Sequence, residues 1–242
     1  MHTSLSVRYR GTCTLALVLA ATLSNALADN IAPEGFGAIG VNVAIDSNFG
    51  TPLEHAGVAS NINDLNLNSS VDTFNGGGTE TFSYVGVLYN APRTDLIVSL
   101  TLNIAAFFDG GWFGPNNSGP GGTGTLNSTY LTEPTVQVTS DSGFTWVDIA
   151  ATSDYVSALD GTVLPVDFGP ATHANPATFT LSVPQTGIDG IRLIGSEGGT
   201  ASGGFLGVFE MEVEAVPEPA SAAALAFAGG LLMLRRSRRV AA

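Results

Sequence analysis

The sequence predicts an all-β fold, a single antiparallel β-sandwich of the jelly-roll kind. Two observations predict it. Several segments alternate between apolar and polar residues with a period of two, and no stretch between residues 29 and 215 shows the 3.6-residue apolar period of an amphipathic helix. Glycine, Asn, Ser and Thr fill the stretches between the alternating segments, which is the chemistry of turns between strands.

The N-terminal segment is typical of a secretion signal. Two arginines precede an apolar stretch from Leu15 to Leu23, and the small-residue pattern Ala26-Leu27-Ala28 follows. We therefore expect a signal helix in residues 1–28 and its removal on export. Cys13, the only cysteine, leaves with it, so no disulfide, Cys-metal site or Cys nucleophile is expected in the mature chain.

The mature domain, residues 29–215, is strongly acidic. The whole chain has a formal net charge of −13 and no lysine, and the domain contains only Arg93 and Arg192 as basic residues. Such a surface repels phosphate backbones and anionic lipids, which argues against nucleic-acid binding. Divalent cations are its natural counter-ions.

The clearest strand is predicted where Val98, Leu100, Leu102 and Ile104 alternate with polar residues, and a second where Phe179, Leu181 and Val183 do so. Further strands are predicted at 82–88, 135–139, 145–149, 191–194 and 205–214. Asp141-Ser142-Gly143 predicts a hairpin turn between two of them. The Gly- and Pro-rich stretch from Gly110 to Gly124 is interpreted as a surface loop.

Two stretches resemble parts of a known family. Ser140-Asp141-Ser142-Gly143-Phe144-Thr145-Trp146 resembles a hairpin of discoidin-like, galactose-binding-type jelly rolls, and the run from Gly190 to Val213 resembles their last two strands. The resemblance implies a domain that often binds glycans through loops at one end. The disulfide usual in such domains is missing here.

The same resemblance implies a calcium site. Asn61, Asp64 and Asn66 follow the Asn-x-x-Asp-x-Asn spacing of the family's calcium loop, and Glu210 stands where a distant glutamate completes the shell. Thr73 and Ser70 are candidates for further oxygen ligands, since calcium takes six to eight hard oxygens. The alternative is an Asn-rich turn whose side chains bond their own backbone.

A candidate ligand loop runs from Phe107 to Gly114. Asp109, Trp112 and Phe113 are the proposed contacts, because aromatic faces stack on sugars while a carboxylate accepts hydroxyl hydrogen bonds. The alternative is that Phe107 or Trp112 plugs the end of the sandwich.

Other motifs are weak. Gly35 to Gly40 matches G-x-G-x-x-G but lacks the strand–helix context of a dinucleotide site, and Asp46 to Gly50 begins like an EF-hand loop without its final glutamate. His55 and His173 lie in polar, loop-like sequence with no hydrolase motif around them. We expect no enzyme activity, although a carboxylate-pair glycosidase stays open.

The C-terminal 27 residues resemble the sorting tail of exosortase substrates, the PEP-CTERM family. Pro217, Glu218 and Pro219 are followed by an apolar segment at 222–234 and by a basic cluster of Arg235, Arg236, Arg238 and Arg239. The resemblance implies an exosortase-type processing enzyme as partner. A helix of 222–234 spans about 20 Å, less than the roughly 30 Å hydrocarbon core, so the predicted transmembrane anchor is marginal.

These features predict an exported cell-surface or matrix protein, non-catalytic, that binds calcium and extracellular polysaccharide. The rivals are a secreted glycan hydrolase and a purely structural matrix component. The domain organisation expected is signal peptide 1–28, β-sandwich 29–215 and sorting tail 216–242.

Overall fold

The computed structural model describes residues 28–41, 50–76, 82–122, 124–201 and 203–217. Within them, Asp29–Ala215 form one compact unit. The signal segment before Ala28, the EF-hand-like stretch before Gly50 and the sorting tail after Pro217 lie outside the described residues. No helix among the described residues is long and apolar enough to cross a membrane.

The described part of the chain is built mainly from strands. In chain order they are β1 (Asp29–Asn30), β2 (Phe36–Val41), β3 (Thr51–Pro52), β4 (Val71–Asp72), β5 (Phe82–Leu88), β6 (Leu96–Ala106), β7 (Gly110–Phe113), β8 (Thr135–Thr139), β9 (Val147–Ile149), β10 (Ala151–Ser153), β11 (Thr172–His173), β12 (Ala177–Gln185), β13 (Gly190–Gly199) and β14 (Gly207–Val216). One short helix, α1 (Tyr155–Leu159), and 3-10 turns at Ala32–Glu34, Ala59–Asn63 and Ser128–Tyr130 connect them.

The strands form two antiparallel sheets that enclose one core. Sheet 1 has the order β1-β14-β6-β12-β10, with β11 beside β6 and β4 beside β14. Sheet 2 has the order β3-β2-β5-β13-β8-β9, with β7 beside β13. Buried Leu100 and Leu102 of sheet 1 and Ile191 and Leu193 of sheet 2 belong to the same apolar cluster. The predicted all-β antiparallel sandwich is confirmed.

Two predicted core positions are wrong, and both lie beside one irregularity. The register between β6 and β12 shifts between Thr180 and Gln185, so Ile97 faces the core where Val98 was expected. Val183 is 65% exposed instead of buried. The shift is three residues, since Thr180 pairs with Ser99 but Gln185 pairs with Ile97. Because side chains alternate with period two, such an odd shift moves them to the other face of the sheet.

The stretch from Gly110 to Gly124 is not a loop throughout. Its first four residues form β7, which pairs with β13 at Phe113 and Glu197. Gly110 has no room for a Cβ, because such an atom would lie 2.4 Å from the Phe205 ring. The glycines that suggested a loop therefore permit close packing here.

The G-x-G-x-x-G stretch also lies in a strand. Phe36–Val41 form β2 between β3 and β5 in an antiparallel sheet, whereas a dinucleotide site needs a parallel one. A Cβ on Gly40 would lie 2.2 Å from the Thr51 carbonyl oxygen of β3. Close strand packing accounts for this glycine.

Candidate functional site

The predicted calcium loop forms a tight turn after the Ala59–Asn63 3-10 helix. Asp64 accepts hydrogen bonds from the Asn66 amide at 2.8 Å and from the Ser69 hydroxyl at 2.9 Å. Leu65 between them has a positive φ of 62°. The Asn66 side-chain oxygen accepts from the Asn68 amide at 3.1 Å. These contacts hold the oxygens of Asp64 and Asn66 at the loop surface.

Glu210 of β14 faces this loop from the core side. It is 2% exposed, and neither carboxylate oxygen has a hydrogen-bond partner among the described residues. Burial raises the pKa of this carboxyl to about 7, and the neighbouring charge of Asp64 adds to the rise. The amides of Leu65 and Asn66 face the carboxylate and oppose the rise without completing a hydrogen bond.

This arrangement fits a hard cation. An unpaired buried carboxylate is costly, and a metal ion between Glu210 and Asp64 would neutralise both charges. No group of three or more His, Cys, Asp or Glu side chains in the described ranges is placed to hold a metal. A cation here would therefore also need amide and backbone oxygens, as calcium accepts.

Of the other predicted calcium ligands, some border the loop and one lies away from it. Asn61 lies at the start of the loop, and its side-chain amide donates to the Ser70 carbonyl at 3.0 Å, so both residues border it. Ser69 was missed by sequence reasoning, yet its hydroxyl bonds Asp64. The register of β4 with β14, continued by two residues, sets Ser69 opposite Glu210, but β4 is only two residues long and no sequence pattern predicts that register.

Thr73 lies away from this loop. Its hydroxyl accepts from the Leu206 amide at 2.9 Å, which places it four residues along β14 from Glu210, about 13 Å at 3.3 Å per residue. The same hydroxyl lies 3.0 Å from that of Ser83 and donates to Glu197 at 3.4 Å. Thr73 therefore joins a buried polar cluster that links the two sheets.

The predicted ligand contacts are also divided. Trp112 and Phe113 are fully buried in the core. The Trp112 indole donates to the Tyr130 carbonyl at 3.0 Å and lies against Gly198, where a Cβ would meet it at 2.3 Å. Both rings are buried, so neither is exposed to a ligand at the surface of the domain. Asp109 is partly exposed and lines a pocket.

That pocket, called here the aromatic pocket, lies where β6 ends and β14 begins, at the opposite end of these strands from the pairing of Asp29 with Ala215. It encloses about 190 Å³ and is lined by His55, Ala56, Asp72, Phe74, Phe107, Phe108, Asp109, Phe168, Gly169 and Phe205. The lining comes from five separate stretches of the chain. Sequence reasoning found only Asp109 as a polar contact, because nothing local to the other stretches shows that they meet.

The phenylalanine rings of the aromatic pocket pack on one another edge-on or tilted. The Phe205 ring lies 5.6 Å from those of Phe74 and Phe107, and the Phe108 ring lies 4.7 Å from that of Phe168. Phe168 is 87% exposed at the rim. Phe205 is only 4% exposed, so Phe168 and the half-buried rings of Phe74, Phe107 and Phe108 are the ones that a ligand can contact.

The polar side of the pocket carries two carboxylates and one imidazole. His55 Nδ1 lies 2.9 Å from Asp72 Oδ1, and the Phe74 amide donates to the same oxygen at 3.0 Å. Burial raises the pKa of Asp72, while the Phe74 amide and His55 oppose the rise. Burial and the charge of Asp72 raise the pKa of Asp109.

No family model and no curated protein matches the chain. Solved structures do resemble it. They include the family 32 carbohydrate-binding module of Clostridium perfringens NanJ in complex with galactose, at 14% identity over 78% of this chain and 98% of that one, with a TM-score of 0.42. A chitosan-binding module from a Paenibacillus chitosanase/glucanase is 16% identical over 76% and 98%, at 0.40. An F5/8 type C domain from Bacteroides fragilis is 10% identical over 79% and 97%, at 0.37.

Proposed function

We propose that the chain is an exported surface or matrix protein, sorted by an exosortase-type enzyme, whose non-catalytic sandwich binds extracellular polysaccharide and calcium. The observation that carries the binding function is the aromatic pocket. Clustered rings beside a few convergent polar groups are typical of a carbohydrate site, because sugars present apolar faces and hydroxyl edges. Asp109 accepts sugar hydroxyls there, with the phenylalanine rings as the stacking surface.

The decisive experiment is glycan binding by residues 29–217, which contain the whole compact unit. We expect retention of particular polysaccharides on an array, lost in Phe168→Ala. Phe144→Ala is the matched control, because Phe144 is 75% exposed but lies outside the pocket lining. Equal binding by both variants, or none by the wild type, would remove the pocket from the proposal and favour a purely structural component.

Calcium binding is supported by the two unpartnered Glu210 oxygens beside Asp64. Asp64, Asn66 and Glu210 would supply side-chain oxygens, and the Ser69 hydroxyl lies within the same turn. The ion would tie the loop to β14. Calorimetry with CaCl₂, compared with MgCl₂, tests this, since the larger ion tolerates the irregular geometry better.

Export and sorting are supported by the sequence at the two ends of the chain. Of the sorting motif only Pro217 is described, exposed directly after β14 ends at Val216. Proline donates no backbone hydrogen bond, so it ends the pairing of β14 at this point. An exposed residue directly after the last strand suits recognition by a processing enzyme.

A glycan hydrolase is the second candidate, because Asp72 and Asp109 share one pocket and the charge of one raises the pKa of the other. Paired carboxylates with separated pKa values are the machinery of glycosidases. Release of reducing ends from a bound polysaccharide, abolished by Asp109→Asn, would establish this function. Retention without turnover favours the binding protein.

A further inference from the structure

The aromatic pocket has a charge that its own residues do not neutralise. Asp72 contacts His55, but the Asp109 carboxylate forms no ion pair and no hydrogen bond to another side chain in the described part of the domain. Its backbone is fixed, since its carbonyl accepts from the Thr200 and Ala201 amides at 2.8 and 3.0 Å. The carboxylate is therefore held at the pocket without a counter-ion.

Apart from the imidazole of His55, which contacts Asp72, no cationic side chain of the described domain lines the pocket to serve as that counter-ion. The chain has no lysine, and neither of the domain's two arginines lines the pocket. Arg93 pairs with Glu34 and Asp95 at 2.7 and 2.6 Å. Arg192 is buried in sheet 2, where its Nε donates to Gln137 at 2.8 Å. A ligand with a carboxylate or sulfate would be repelled by Asp109, and the His55 imidazole is already engaged by Asp72.

An ammonium group on a ligand would be attracted to the same pocket. Asp109 offers the charge, and the rings around it offer the negative faces of their π-systems, which attract a cation held within about 6 Å. The rings also accept the apolar face of a pyranose. One pocket thus combines the two elements that recognise an amine carried on a sugar.

We propose that the aromatic pocket selects polysaccharides with free amino groups, that is, partly or fully de-N-acetylated hexosamine polymers. This inference rests on the proposed glycan-binding function and specifies its ligand class. It assigns Asp109 as the residue that discriminates the ammonium group from a hydroxyl or an acetamide at the same ring position.

The test uses three oligosaccharides of equal length with the same β-1,4 backbone and an amine, an acetamide or a hydroxyl at C2. Calorimetry with residues 29–217, at a pH where the amines are protonated, is expected to show at least about tenfold tighter binding of the amine form, or about 1.4 kcal/mol. The preference should shrink as NaCl is raised, because the pairing at a partly exposed pocket is screened.

Two variants separate recognition in the pocket from general attraction to an acidic protein. Asp109→Asn should lower the affinity for the amine form to that of the hydroxyl form. Asp29→Asn removes the same charge at the opposite end of the sandwich and should leave the preference intact. Equal affinity for all three sugars, or a preference that survives Asp109→Asn, would overturn the inference and leave glycan binding standing. Binding of none of them would overturn the glycan-binding proposal as well.

Discussion

Glu210 departs from the rule that charged groups remain in water unless they are paired. Its two oxygens are buried beside Asp64 without partners in the described structure, and that environment raises its pKa from 4.5 to about 7. A carboxyl group that binds its proton more tightly in the folded state than in the unfolded state stabilises the fold at low pH. Its contribution is present below pH 4.5 and is lost as the pH rises toward 7.

We therefore predict that, in EDTA, Glu210→Gln is more stable than the wild type above pH 7, by roughly 3 kcal/mol at 1.36 kcal/mol per pKa unit. The two proteins should converge near pH 4. Urea unfolding at several pH values measures the difference. With CaCl₂ at about 100 times its Kd the wild type should gain about 2.7 kcal/mol at pH 8 and the variant little. A calcium effect of equal size in both would show that Glu210 is not a ligand.

Trp112 illustrates the opposite case, a side chain whose aromatic character suggests binding but whose place is structural. It fills a buried slot between Tyr130 and Gly198. Trp112→Ala should cost about 3–5 kcal/mol by leaving a large cavity, and Trp112→Phe less. Chemical denaturation measures the cost, with glycan affinity recorded on the folded fraction. A stable Trp112→Ala protein that no longer binds glycan would show that Trp112 contributes to the ligand site.

At the scale of elements, α1 is five residues long and depends on its contacts for stability. Its Tyr155 hydroxyl accepts from the Phe113 amide at 2.8 Å and donates to the Phe113 carbonyl at 3.0 Å. The Tyr155 side chain therefore bonds both the amide and the carbonyl of Phe113, the last residue of β7. These bonds lie on the side of Phe113 that faces away from Glu197, its partner in β13.

Tyr155→Phe keeps the ring and removes only these two bonds. The Phe113 carbonyl still accepts from the Thr132 amide at 3.1 Å, so we predict a loss of about 1–3 kcal/mol for the Phe113 amide, which is left unpaired. Tyr130→Phe is the control, because the Tyr130 hydroxyl makes no hydrogen bond with described residues. Thermal unfolding of both variants provides the comparison. Equal melting temperatures would show that β7 does not depend on α1.

The long strands β6 and β12 were predictable because apolar and polar side chains alternate along them, whereas β5 and β13 are buried along most of their length. Leu100, Leu102 and Ile104 are all fully buried, as their alternation indicates. The alternation failed where tertiary contacts changed the register, at Val98 and Val183, and where glycine served close packing, in β2 and β7. The short strands β1, β3, β4 and β11 are two residues each, too short for any period to appear.

At the scale of the whole molecule, a candidate site is easier to predict from the sequence when its residues lie close together along the chain. The predicted calcium loop is local, and the resemblance to discoidin-like domains named Glu210 as its distant member. The structure places Glu210 beside Asp64, while calcium binding there stays a prediction. The aromatic pocket brings Phe74, Phe168 and Phe205 together across more than a hundred residues. Only the crossing of chain segments between two sheets makes them neighbours.

The last prediction concerns the route of the whole chain. If Pro217-Glu218-Pro219 is the recognition segment of a processing enzyme, replacing all three with alanine should block processing while leaving the apolar segment 222–234 and the arginine cluster intact. In a host with an exosortase, the variant should stay in the membrane fraction at unprocessed size, held by the marginal anchor with its arginines on the cytoplasmic side. Immunoblots of membrane, envelope and medium fractions measure this. The control is Ser221→Ala, outside the Pro-Glu-Pro segment, which should be processed as the wild type. Processing of the triple variant at the same rate would show that the enzyme reads some other part of the tail.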